Sequence, residues 1–100
     1  MRIGVLISGR GSNLKALIES QENGTLGAEI CTVISNVPQV MGLKIADDRQ
    51  IENHVVDHKN YGSRELFEDE LNSILQASDI NLICLAGFMR ILTSNFIKKW

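Results

Sequence analysis

One hundred residues, 44% of them apolar, suit one small domain with a single core and are too few for two. Ten basic and twelve acidic side chains give a formal charge of −2, and no basic block exceeds Lys98-Lys99, which excludes a nucleic-acid footprint. The apolar opening at residues 3–7 is interrupted by Gly4 and too short for a signal peptide or a membrane span, so a cytoplasmic setting without a membrane partner is expected.

In chain order, short apolar runs alternate with amphipathic stretches, the pattern of βα units that close a parallel sheet. A first strand is expected at residues 2–7. The helix after it carries Leu14, Leu17, Ile18 and Gln21 at i, i+3, i+4 and i+7 and ends at Gly24 and Gly27. A second strand is expected near residues 29–35, then a shorter helix through Met41, Leu43, Ile45 and Ala46, and a third strand at residues 54–56. The next helix shows the clearest stripe, Phe67, Leu71, Ile74 and Leu75. Its first turns hold Glu65, Glu68, Asp69 and Glu70, where carboxylates favour the positive end of the helix dipole. A fourth strand at residues 81–86 precedes a last helical segment at 93–100, with Thr93 or Ser94 as its cap.

These elements predict an α/β fold, a Rossmann-like, mainly parallel sheet flanked by helices. Four strands are few for a doubly wound domain, and nothing after Trp100 signals a helix end, so residues 1–100 are expected to be part of a longer domain. Cys31 and Cys84 lie in separate apolar runs without metal-ligand spacing, which predicts buried reduced thiols and no metal.

Two stretches stand apart from this framework. Residues 8–13, Ser-Gly-Arg-Gly-Ser-Asn, form the first βα turn, where open α/β sheets deliver helix N-terminal amides to an anion. A dinucleotide fingerprint is disfavoured because Leu14 stands where a third glycine is needed and Asn36, not an acid, follows the second strand. A nucleoside-triphosphate loop is disfavoured by the missing Gly-Lys-Ser/Thr ending. Two readings remain: a single phosphate on the amides of Gly11, Ser12 and Asn13 and the Ser12 hydroxyl, with Asn13 also able to cap the helix, or a plain strand-to-helix turn. The second stretch, Leu-Ala-Gly-Phe-Met-Arg-Ile-Leu at residues 85–92, sets Phe88, Met89 and Arg90 beyond the fourth strand. Apolar groups beside one guanidinium suit a planar ligand with carboxylates, and equally suit a strand end with a core phenylalanine and a surface arginine.

With "VLISGRGSNL" at 5–14, "SN" at 35–36, "SRELFEDEL" at 63–71 and "LAGFMRIL" at 85–92, the chain resembles the glycinamide ribonucleotide formyltransferase family of purine synthesis. The resemblance implies transfer of a formyl group from the co-substrate 10-formyltetrahydrofolate to the amine of 5-phosphoribosylglycinamide. It implies that Gly11, Ser12 and Asn13 bind the substrate phosphate. It also implies that Met89, Arg90, Ile91 and Leu92 line the folate pocket, through main-chain contacts to the pterin, and that Arg64 stands on the folate side. The family's general acid/base groups, an Asn-x-His-Pro-Ser motif and a later aspartate, have no match here, so no catalytic residue is expected within the chain. His54 and His58 read as ordinary polar residues near a strand end. The rival readings are another folate-dependent formyl enzyme, such as a methionyl-tRNA formyltransferase or a formyltetrahydrofolate deformylase, and a non-catalytic module that captures a phosphorylated ligand. The oligomeric state is left open.

Overall fold

The first apolar run forms β1 (Arg2–Ile7) and sends alternate side chains to opposite faces, as a strand buried on both sides must. The computed structural model describes residues 1–100 and continues with α1 (Ser12–Glu22), β2 (Glu29–Ser35), α2 (Met41–Asp48) and β3 (Glu52–Val55). A single 3₁₀ turn at His58–Asn60 leads to α3 (Arg64–Ala77), β4 (Leu82–Leu85) and α4 (Ser94–Lys99). All strand pairs are parallel, in the order β3-β2-β1-β4. After β1 the chain moves outward through β2 and β3, then returns to lay β4 on the other side of β1. The strand order therefore reverses between β1 and β4, and a crevice opens beyond their carboxyl ends.

Ile3, Val5 and Ile7 pack with Leu14 and Ile18 of α1 and Ala46 of α2 on one face. Leu6 and Ile34 pack with Phe67, Leu71 and Leu75 of α3 and Phe96 of α4 on the other. Gly4 serves the second face by leaving room: a Cβ there would stand 2.7 Å from Leu75 Cδ2. The α1 stripe is as expected, with Leu14 and Ile18 buried and Gln21 Oε1 accepting the Ile30 N–H at 2.7 Å.

Four local expectations are corrected. The third strand begins two residues earlier than expected, because β3 is an edge strand whose polar Glu52, Asn53 and His54 do not read as an apolar run. The fourth is shorter, its regular pairing confined to Leu82–Leu85. The thiols are half-buried rather than buried. Cys31 is the extra residue of a bulge, since Ile3 stands opposite Ile30 and Gly4 opposite Thr32, and Cys84 lies on edge strand β4. Finally, Glu68, expected only among the carboxylates at the positive end of the α3 dipole, makes a tertiary contact. It is only 4% exposed and its carboxylate accepts both the N–H and the hydroxyl of Thr93.

That contact ties α3 to the cap of α4, because the Thr93 Oγ1 also accepts the Phe96 N–H at 3.3 Å. Removing the Glu68 carboxylate leaves two half-buried donors without a partner. Glu68→Ala is expected to lower stability in urea unfolding by about 2–3 kcal/mol, whereas Glu65→Ala, on the exposed face of the same turn, should change it by less than about 0.5 kcal/mol.

Candidate functional site

β1 delivers the chain to Ser8 at the switch point, and the turn closes on Gly11, the N-cap of α1, at φ 82°. Only glycine takes that left-handed conformation freely. A Cβ at Gly11 would also stand 2.6 Å from the Gly42 Cα, so the N-termini of α1 and α2 touch backbone to backbone. The Gly42 N–H donates to the Gly9 carbonyl at 3.1 Å and fixes that approach. The first bond into α1 runs from Lys15 N–H to the Gly11 carbonyl at 2.8 Å, and no side chain caps the helix. Asn13 is thus the second residue of the helix and not its cap, which corrects the sequence expectation. The amides of Ser12, Asn13 and Leu14 are left without an internal partner, at the positive end of the helix dipole. Ser12 and Asn13 border a crevice of about 350 Å³, lined also by Ser8, Arg10, Gly11 and Met89. Free amides and a guanidinium with no carboxylate nearby form a binding surface for one anion.

A second crevice of about 270 Å³ lies beside it, lined by His58, Tyr61, Arg64, Phe67 and Arg90. Arg64 is the first residue of α3, whose N-cap Ser63 accepts the Leu66 N–H at 3.2 Å, so this crevice also faces a helix N-terminus. Two guanidinium groups beside aromatic rings suit a ligand that joins carboxylates to a flat body. The residues expected on the folate side are divided by the fold. Arg64 and Arg90 share this crevice, while Met89 lines the first one. Ile91 is 75% exposed and borders neither, and Leu92 lies half-buried against Phe96 and Trp100 in an apolar pocket.

Sequence reasoning missed the bonds that join the two crevices. The Met89 N–H donates to Ser8 Oγ at 2.8 Å, the Ser8 hydroxyl donates to Asn36 Oδ1, and Asn36 Nδ2 donates to His58 Nδ1 at 3.2 Å. An amide nitrogen can only donate, so His58 accepts at Nδ1 and carries its proton on Nε2. The chain of bonds crosses the carboxyl ends of all four strands. Its members lie 81, 28 and 22 residues apart in sequence, and only the strand order brings them together. Asn36 is 2% exposed, an unusual burial for an amide that nothing in the sequence announces.

Glu52 marks the opposite end of the sheet. It accepts from His54 Nε2 at 2.7 Å, Ser78 Oγ at 2.9 Å and Thr32 Oγ1 at 3.3 Å. The His54 bond, then the Ser78 bond, hold its carboxyl below the ordinary value of 4.5. Ligands of such sheets sit at the carboxyl ends, so this displaced carboxyl serves the fold and not the chemistry.

The formyl transferase family model matches residues 1–100, the whole chain. The chain belongs to the formyl transferase family. It is 49% identical over 100 residues to the trifunctional purine biosynthetic protein adenosine-3 of Gallus gallus, covering 100% of this chain and 10% of that protein. It is 38% identical to the phosphoribosylglycinamide formyltransferase of Haemophilus influenzae, covering 99% of this chain and 47% of that one. The phosphoribosylglycinamide formyltransferase structure from Coxiella burnetii superposes with a TM-score of 0.93 at 42% identity, over 99% of this chain and 46% of its own. The chain therefore spans about half the length of these bacterial family members, and its sheet has their Rossmann-like formyltransferase fold.

The two glycines of the turn should respond differently to substitution. Around Gly9 a Cβ would meet nothing within 4 Å, whereas at Gly11 it meets backbone. Urea unfolding is expected to show Gly11→Ala less stable by about 2–4 kcal/mol and Gly9→Ala within about 0.5 kcal/mol of the parent. Gly11→Val would thus report on packing as much as on any phosphate. For Glu52 the sign follows from its lowered value: folding favours the ionised carboxyl, a contribution complete above 4.5 and lost as pH falls through the lower folded-state value. The stability gap between parent and Glu52→Gln should therefore shrink on acidification below 4.5. A gap independent of pH would contradict this.

Proposed function

We propose that the protein carrying this chain transfers a formyl group from 10-formyltetrahydrofolate to the amine of 5-phosphoribosylglycinamide in purine biosynthesis, with the chain supplying the phosphate- and folate-binding part. The observation that carries the reading is the pair of unpartnered amides at Ser12 and Asn13, on a crevice with no carboxylate. A single phosphate fits there without a lysine or a metal ion. The names of the relatives, two of them phosphoribosylglycinamide formyltransferases, support the same substrate.

In this reading Gly11, Ser12 and Asn13 hold the phosphate, and Arg64 and Arg90 hold the carboxylate end of the folate across the second crevice. The backbone at Met89, Arg90, Ile91 and Leu92 meets its ring system. The reaction joins the amine nitrogen to the formyl carbon and breaks the bond from that carbon to the folate nitrogen. The amine must lose a proton and the developing oxyanion needs a donor. Neither crevice is lined by a carboxylate, so these groups are assigned to the half of the family members that the chain does not span. By itself the chain is expected to bind and not to turn over. The reading includes a cytoplasmic setting and two small-molecule substrates, with no nucleic-acid or membrane partner and no metal.

The test is a formyl-transfer assay on the full-length protein. Ser12→Ala should raise the KM for the ribonucleotide about tenfold and leave that for the folate unchanged, because a hydrogen bond to a charged phosphate oxygen contributes about 1.5–3 kcal/mol. Arg90→Ala should do the reverse. Equal effects of either variant on both substrates would contradict the assignment.

A further inference from the structure

The bonds from Met89 to Ser8, Asn36 and His58 belong to no assigned role, although they run directly between the two crevices. We infer that Asn36 and His58 are positioning residues, which hold the loop after β4 in place through Ser8 and so set the formyl donor's seat relative to the phosphate turn. The inference rests on the proposed formyl transfer.

Every group in the relay is satisfied by its neighbours. Ser8 Oγ accepts from the Met89 N–H, so its own proton must go elsewhere, and Asn36 Oδ1 receives it. Asn36 then has only its NH₂ to offer, and His58 Nδ1 receives that. In this arrangement the chain of donors starting at Ser8 ends on His58 Nδ1 as acceptor. The anchor is rigid: Asn36 is buried, its N–H donates to the Ile7 carbonyl, and the His58 ring meets Phe67 edge-on at 6.4 Å between centroids. The tethered end is exposed: Met89 is 81% exposed and the loop holds Gly87 at φ 76°. A loop tied at one amide to a buried network takes its position from that network.

Amide hydrogen exchange on the full-length protein tests this directly. His58→Leu, which removes the acceptor but keeps apolar bulk against Phe67, should lower the protection factor of the Met89 amide about five- to tenfold, with Leu71 in α3 unchanged. His58→Asn sets an oxygen where Nδ1 stands and should restore Met89 protection to within about twofold. In the transfer assay His58→Leu should raise the KM for the formyl donor about fivefold and leave that for the ribonucleotide. Equal Met89 protection in parent and His58→Leu would overturn the inference, as would a parallel loss at Leu71, which marks a purely structural role. Altered exchange with an unchanged donor KM would overturn the positioning role. A parent protein with no transfer activity would instead overturn the proposed formyl transfer, and the exchange result would still decide whether the relay holds the loop.

Discussion

β1 lies between β2 and β4 and commits Val5 and Ile7 to one layer of helices and Leu6 to the other, with none of the three exposed to solvent. Burying side chains of this size contributes about 1.5–3 kcal/mol each, and here the burial is two-sided, so the strand cannot slide without breaking both layers at once. The turn beyond β1 inherits that precision. Ser8 is the first residue past the strand, Gly11 is three further on, and each stands where it does because Ile7 has no freedom to move. Both crevices and the bonds between them are referred to this one strand end.

The division of labour between the two ends of the sheet comes from chain direction in a parallel fold. At the amino ends, Glu52 gathers His54, Ser78 and Thr32, and Arg2 donates to the Ser78 carbonyl at 2.8 and 3.0 Å. Every partner there is another group of the protein. At the carboxyl ends the pattern inverts: amides at the start of α1 and guanidinium groups on α3 and the loop after β4 have no partner within the chain. A fold that satisfies its polar groups at one end and leaves donors open at the other has placed its binding capacity by topology. The side chains only select which anions are taken.

Much of this architecture is legible in the sequence, and the reasons are specific. β1 and β2 are apolar runs bounded by turn residues, and α1 and α3 repeat their apolar positions at the helical period, so local pattern alone locates them. The glycine turn can be read as an anion site because its position after the first strand limits what it can hold. Properties that depend on distant partners are not legible. Glu68 looks like a dipole-stabilising charge until α4 folds over it, and β3 hides because its outward residues are polar. Ser8, Asn36 and His58 are each ordinary in sequence, and they become one network only when four strands are laid in order. Gly11 is legible for a partial reason: its bare backbone leaves room for a ligand, while the structure gives Gly42 an equal claim on that room.

The placement of the two thiols has a redox consequence. Cys31 and Cys84 stand on β2 and β4 with β1 between them, and they pack toward opposite helix layers. Two strand spacings are about 9–10 Å, beyond the reach of any disulfide, so oxidation cannot join these two thiols to each other while the sheet is intact. A disulfide between Cys31 and Cys84 of one chain would therefore mark a sheet that had already opened.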